Sequence, residues 1–450
     1  MTSSLVGKWV LVASALGAFV VIPACEGDPV KRSTYGDGGE GGGGVGEGGS
    51  SSPPASMAGM PGLIAEAGAA LGGGGGAPTI PPAQGGMPAA AGANGEPTAG
   101  APAVLTQCEG ELVFPDAWVD QLVHDAVDTV GPITSADVAN LTELSIPFTD
   151  SDIDLTGVEC LFALTTLNLD RGGQTSLEVL ADLPNLRSVV FDAPYSVDLV
   201  ALSQATQLTS LDLSGYKEGD LSALANLTKL EELNLSGVGP FGQVPVDIAP
   251  LASLSQLKFL DLSSVVIADG APLASLTQLE QLFLRSVTLG SITPVMSLTN
   301  LRSLDLAGTG LTTIPNLTTF TKLTSLDISY NTFSDFTPLA SHTIFTDLNL
   351  ASTTLSSLAS VAPLTALVTL DASYNALTDV TTLGALPALS ELNLSFNNSV
   401  TSVTPLANSS YIGAGDLLDL TGVGDCGTGF LTDFQTIKDK NVNLTNSCGI

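Results

Sequence analysis

The chain has 450 residues, a formal net charge of −32 at pH 7, and only 13% charged and 5% aromatic residues. Any core must therefore be built from Leu, Val and Ile. With 10 bases against 38 acids in residues 108–450, the surface would repel a polyanion. Nucleic acid, which needs a basic footprint, is excluded as a partner, and so is electrostatic docking on an anionic membrane face.

Near the start, Lys8 precedes an apolar stretch from Trp9 to Ile22, 14 residues long. A bilayer-spanning helix needs about 20 residues, so the stretch reads as an export signal. It ends in Ile22-Pro23-Ala24-Cys25, which resembles the bacterial lipobox, with an aliphatic residue three before the cysteine and a small one just before it. The resemblance implies a signal peptide over residues 1–24 and lipidation of Cys25. That would anchor an exported protein in the cell envelope, at the outer membrane or cell surface. Residues 25–107 then form a linker. Runs such as GGEGGGGVGEGGSSSPP carry no apolar period and cannot bury a core, so no fixed structure is expected. A flexible segment of about 80 residues spans roughly 50 Å on average, which suits a stalk.

Four cysteines remain: Cys108, Cys160, Cys426 and Cys448. An even number in an exported chain reads as disulfides, with three possible connectivities. Chain position favours Cys108–Cys160 and Cys426–Cys448, because each pair brackets one end of the repeats. Between the first two, residues 115–129 predict an amphipathic helix, with Trp118, Val119, Leu122 and Val123 at helical spacing. Thr134-Ser135-Ala136-Asp137 has the form of a capping box opening a second short helix.

From Leu141 the pattern L-x-x-L-x-L recurs at Leu164, Leu186, Leu208, Leu230, Leu257, Leu279, Leu301, Leu323, Phe345, Leu367 and Leu389, with a degenerate copy near Gly415. The spacings are 23, 22, 22, 22 and 27, then six of 22, then 26. In the copy from Leu301, Leu301, Leu304 and Leu306 are expected to point inward from a short strand. Ser303, Asp305 and Ala307 are expected to face outward. One repeat cannot bury its own leucines, but stacked neighbours can. At the far end, residues 429–440 predict a helix and Val442–Leu444 a last strand.

This period and pattern resemble the leucine-rich-repeat family, specifically its 22-residue bacterial class. The run PITSADVANLTEL…DLTGVECLFALTTLNL is similar to the N-terminal cap of internalin-type proteins. Gly242-Gln243-Val244-Pro245 with Ile248 resembles a plant-type repeat and accounts for the longer spacing. The resemblance implies an α/β solenoid: a horseshoe with a parallel β-sheet on the concave face, short irregular or 3₁₀ convex arcs and a helical N-terminal cap. The expected divisions are 108–163 for the N-terminal cap and first repeat, 164–414 for the repeats, and 415–450 for the last degenerate repeat and C-terminal cap. The family's Asn after the strand is present as Asn331, Asn375 and Asn397. Thr309, Thr353, Val265, Val287 or Tyr216 stands there in other repeats, so its ladder of hydrogen bonds is expected to be partial.

The resemblance also implies a monomeric binding module that takes a protein or peptide on its concave face. The alternative is a structural or adhesive envelope protein with no discrete ligand site. Mid-strand outward positions mostly alternate Asp with Asn, including Asp212, Asp261, Asp305 and Asp327. Like charges directly opposite destabilise a sheet, so the amides are expected to donate to both flanking carboxylates. The acidic face would favour a basic ligand. Phe283, with Phe259 and Arg285 beside it, breaks the series and is the first candidate hot spot. Tyr330, Tyr374 and Phe396, just past their strands, are the second.

No catalytic motif is present, and no enzyme activity, cofactor or metal is expected. His124 falls on the polar side of the cap helix, and His342 takes a core leucine position. Asp150, Asp152 and Asp154 have calcium-loop spacing, but Leu155 replaces the required Gly and no Glu stands at position twelve. The sequence makes one prediction of its own. Cys25→Ser should abolish metabolic lipid labelling and release the protein from membranes; a wild type that takes no label and fractionates as soluble would remove the tether.

Overall fold

A computed structural model describes residues 108–147, 152–170, 174–240 and 244–449. The signal segment, Cys25 and the linker lie outside the described residues, as do Asp150, Gly242 and Gln243. Contacts divide the chain into Met1–Asn94 and Gly95–Ile450, and every described residue belongs to the second unit.

Each L-x-x-L-x-L copy makes one very short strand, and three more lie outside the copies, sixteen in all among the described residues. The first are β1 (Glu143–Ile146), β2 (Ile153–Asp154), β3 (Thr166–Leu169), β4 (Gln174–Thr175), β5 (Ser188–Phe191) and β6 (Ser210–Asp212). The middle of the array holds β7 (Glu232–Asn234), β8 (Phe259–Asp261), β9 (Gln281–Phe283), β10 (Ser303–Asp305) and β11 (Ser325–Asp327). It ends with β12 (Asp347–Asn349), β13 (Thr369–Asp371), β14 (Glu391–Asn393), β15 (Leu417–Leu420) and β16 (Asn443–Asn446). Among the described residues, fourteen of these form one parallel sheet in chain order, while β2 and β4 pair separately. The register places like on like: Leu282, Leu304 and Leu326 lie side by side. Leu301, Leu304 and Leu306 are all buried, as are their counterparts in the repeats from Leu164 to Leu389. Each such leucine contributes roughly 2 kcal/mol of transfer free energy, and the repeat above and below supplies the cover.

The return arcs are short 3₁₀ turns, such as Ala249–Ser253, Ala271–Ser275 and Thr337–Ser341. Their shared sequence explains them. Pro250, Pro272 and Pro338 sit where the fixed φ and missing N–H cost nothing. An Asp two residues ahead accepts the first N–H: Asp247 from Ala249, Asp269 from Ala271 and Asp335 from Thr337, at 2.8–2.9 Å. Asn331, Asn375 and Asn397 form the expected ladder, each donating to a carbonyl of the preceding repeat, Leu306, Leu350 and Ala372 respectively. Where Asn is missing, Thr309 and Thr353 donate to Leu306 and Leu350, and Val265 and Val287 are buried instead.

Helix α1 (Ala117–Val127) caps the first repeat. Asp116 accepts from the N–H groups of Trp118 and Val119, and Asp128 closes the helix in the left-handed region. Val119 and Val123 are buried, but Trp118 is 44% exposed, so the apolar stripe is narrower than the spacing suggests. The expected second helix at Thr134 is a set of turns. The Thr134 hydroxyl donates to Asp137 rather than accepting from a helix N–H, and the Thr134 N–H donates to the same carboxylate. Two single-turn helices, α2 (Leu199–Leu202) and α3 (Thr404–Ala407), lie within the arcs. At the far end α4 (Thr428–Lys438) buries Phe434 and Ile437, and the last strand lies one residue later than expected.

The structure bonds Cys108 to Cys160 and Cys426 to Cys448, with Cα–Cα distances of 5.2 and 5.5 Å. Each bridge ties a cap to the array. Closing such loops stabilises by about 4 and about 3.4 kcal/mol in the chain-entropy model. Cys426→Ser with Cys448→Ser should therefore lower the unfolding free energy of the C-terminal cap by about 3 kcal/mol. Hydrogen exchange should show the loss concentrated in α4 and β16; uniform loss along the array would contradict a local cap.

Candidate binding surface

The concave face begins with the mid-strand Asp and Asn residues. From Asp212 to Asp419 each carries the same local bond: its Oδ1 accepts the backbone N–H two residues on. Asp212 takes Ser214, Asn234 takes Ser236, Asp305 takes Ala307 and Asn349 takes Ala351, at 2.8–3.0 Å. Past a three-residue strand the first N–H still reaches the next repeat, as Leu213 does to Asn234, while the second has no ladder partner and donates to the short polar side chain. The second oxygen of the Asp serves its neighbour. Asn234 donates to Asp212, Asn349 to Asp327 and Asn393 to Asp371, each at 2.9 Å. The amides thus donate only toward the preceding repeat, not to both sides as expected, because their oxygen is already committed to the backbone.

Asp305 and Asp327 form the one adjacent acid pair in this column, with no amide between them. Arg285 takes that role. Its Nε donates to Asp305 Oδ2 at 3.1 Å, and Nη2, 2.9 Å from that same oxygen, donates to Asp327 Oδ2 at 2.7 Å. Arg285 is the only base at its position along the strands, and it spans two repeats to reach its partners. Asp305 is not an outward, solvated acid: it is 7% exposed, and Ala307 beside it is also buried. Burial, followed by the Asp327 charge, pushes its carboxyl up to about 6, against the pull of the Ala307 N–H and Arg285. Asp261 is 4% exposed, and burial raises its pKa as well. Burial opposes the charge on Arg285, but the two carboxylates hold it fully protonated.

Phe259 and Phe283 lie on adjacent strands, half-buried, with ring centroids 5.5 Å apart. They sit beside Asp261, which pairs in register with Phe283. At the strand starts, Glu231 with Lys258 and Glu280 with Arg302 form an ion-paired edge at 2.6 and 3.0 Å. These aromatics and Arg285 do come together; the Asp column around them is largely occupied by the fold itself.

A second row runs past the strands. In every repeat from Ala193 to Gly422, the third residue beyond the mid-strand position has φ between 49° and 79°. Its N–H donates to the next repeat, as Tyr330 does to Ala351 and Tyr374 to Ser395. Most repeats place Gly or Ser there. Tyr330, Tyr374 and Phe396 accept the left-handed conformation with large side chains, at roughly 1–2 kcal/mol each, and are 62%, 56% and 42% exposed. Tyr374 and Phe396 stack, with centroids 4.4 Å apart and 20° between planes. No sequence signal marks this backbone feature except the alternation of Gly and Ser at one position.

The other polar candidates have internal roles. Both ring nitrogens of His124 face carbonyl oxygens, of Asp120 at 2.8 Å and Gly131 at 3.0 Å, and the Asp120 carbonyl raises its pKa. His342 is buried, bonded to the Leu323 carbonyl at 2.7 Å and packed on Phe345. Asp154 accepts from Thr156 and Ser176, and no cluster of metal-binding side chains occurs among the described residues. An open cleft of about 500 Å³ is lined by Asp152, Asp198, Glu218 and Asp220, with Tyr216 donating to Glu218 at 3.2 Å.

A family model for leucine-rich repeats in two copies matches residues 299–341 and 365–408. With the in-register leucine columns and parallel sheet, that decides the class. The fold is a leucine-rich-repeat solenoid. No curated protein matches it in sequence. Among solved structures, the leucine-rich-repeat array is similar to an internalin, InlF, from Listeria monocytogenes. The two share 27% identity over 68% of this chain and 97% of that one, with a TM-score of 0.55. A leucine-rich-repeat protein from Leptospira interrogans is 17% identical over 73% of this chain and 94% of that one, with a TM-score of 0.47. The functional domain of InlJ from L. monocytogenes is 23% identical over 69% and 65%, with a TM-score of 0.43.

The Arg285 cluster makes the leucine-rich-repeat array pH-dependent. Because the folded state raises the Asp305 pKa, the stability its proton brings is complete below about pH 4 and is lost as pH rises through about 6. Between pH 5 and 7.5 the loss is about 1 kcal/mol. In Asp305→Asn, whose amide oxygen can still cap Ala307, that loss should vanish. Urea unfolding of both proteins at the two pH values measures it; equal pH slopes would mean Asp305 is not raised.

Proposed function

We propose that this protein is an exported recognition module that binds a protein or peptide on its concave face. The observation that carries the reading is the Phe259–Phe283 pair, half-exposed in the middle of a sheet whose other mid-strand positions are mostly small polar or acidic. Large aromatics on a rigid surface, flanked on both sides by repeats that exclude water, carry a large share of binding energy in protein interfaces. The likeness to an internalin supports a binding role for the fold. The two disulfides fit an oxidising, extracytoplasmic compartment. Lipid on Cys25 and the linker after it would hold the array at the cell envelope.

The partner is of basic character. The Asp column is occupied by backbone and amide donors, so it contributes field rather than contacts, and the net charge of −32 would speed the arrival of a cationic partner more than tighten it. Arg285 is best read as the counter-ion of Asp305 and Asp327 and not as a ligand contact, since removing it would strand both.

The test leaves Arg285 in place. The lipid-processed protein carrying Phe259→Ala and Phe283→Ala should keep its fold by circular dichroism. It should bind its captured partner at least about 30-fold more weakly, the equivalent of about 2 kcal/mol. A partner that binds the variant and the wild type equally would place the interface elsewhere.

A further inference from the structure

The left-handed row past the strands carries an aromatic stack with one rung missing. Tyr374 and Phe396, on consecutive repeats, stack at 4.4 Å, so their ring planes lie across the direction in which repeats are added. Tyr330 occupies the same position two repeats before Tyr374, with φ of 56° against 54°. The repeat between them presents Ser352, at φ 54°. Adjacent strands lie about 4.8 Å apart, so two repeat spacings set Tyr330 and Tyr374 about 9.6 Å apart. A flat group inserted over Ser352 would stand about 4.8 Å from each ring, close to the spacing that Tyr374 and Phe396 already adopt. Among the described residues Tyr330 makes no ring contact, and it is the most exposed of the three. One large exposed ring without a stacking partner, at a position most repeats give to Gly or Ser, points to a ligand.

The charge around this slot selects the ligand. Residues 301–400 hold seven carboxylates and two bases, and Arg285 pairs with two of those carboxylates, Asp305 and Asp327. Both bases are committed, Arg302 to Glu280 and Lys322 to the Asn300 side chain at 2.7 Å. A flat cation therefore fits both the spacing and the field. The guanidinium of arginine is planar and stacks on aromatic faces, whereas the lysine ammonium has no plane to clamp.

We propose that Tyr330 and Tyr374 form a slot, floored by Ser352, that clamps an arginine side chain of a basic partner segment. This site is separate from the Phe259–Phe283 pair and does not depend on it.

Fluorescence anisotropy with a labelled peptide of alternating glycine and arginine, and its lysine counterpart, tests the slot on the full protein. At about 50 mM salt, where charge alone attracts both peptides, the arginine peptide should bind at least about fivefold more tightly. Ser352→Tyr fills the missing rung with a side chain that two neighbouring repeats already carry at this φ, and it should erase the arginine preference. Tyr330→Ser should do the same by removing one wall, and it keeps the test decisive if Ser352→Tyr fails to fold. Ser352→Gly and the Phe259→Ala, Phe283→Ala double variant should both retain the preference. Equal binding of the two peptides, or an unchanged preference in Ser352→Tyr, overturns the proposal. So does tighter binding of a neutral tryptophan–glycine peptide or an oligosaccharide, which would give the slot to a different occupant.

Discussion

Each repeat of this chain folds because its neighbours cover the leucines it cannot cover itself. A strand of three residues has little ladder of its own, and a 3₁₀ arc of three to five residues has no face broad enough to close a core. Stacking converts both into a continuous interior, with Leu282, Leu304 and Leu326 in direct register. The same dependence explains the ends. The first and last repeats each lack one neighbour, and there, among the described residues, the chain places its two long helices and both its disulfides.

Short strands also explain the polarity of the concave face. The second N–H past most strands needs an acceptor, and an Asp or Asn two residues earlier supplies it. That one requirement places a carboxyl or amide at the centre of nearly every repeat. Their second functional atoms then pair with one another, and where two acids meet without an amide, Arg285 reaches across. A face that looks like an acidic binding surface is thus largely self-occupied. What it leaves for a partner is the set of exceptions: rings where a small polar residue would have served.

The solenoid was legible in the sequence because a 22-residue leucine period has no other economical solution, and the cysteine pairs were legible because each brackets an end. Phe283 stood out by breaking a series, with Phe259 on the preceding strand beside it. Three things were hidden. The reach of Arg285 spans two repeats, and sequence spacing gives no account of side-chain length against sheet spacing. The one-way donation of Asn234, Asn349 and Asn393 follows from a backbone bond that appears only once the strand length is known. The exposure of Trp118 and the turn at Thr134 depend on which way a cap leans on the first repeat, and a helical wheel does not contain that information.

The paired wiring of the concave column restricts how such an array can lengthen or shorten during descent. Losing the single repeat that carries Asn349 would bring Asp327 against Asp371 with no donor between them. Losing two consecutive repeats would instead set Asp327 beside Asn393, 44 residues further along than Asn349, and restore the same bond. Duplication or deletion in steps of two therefore leaves the column intact, while an odd step demands a compensating cation. The adjacent acids Asp305 and Asp327, mended by Arg285, have the form such an odd step would leave behind.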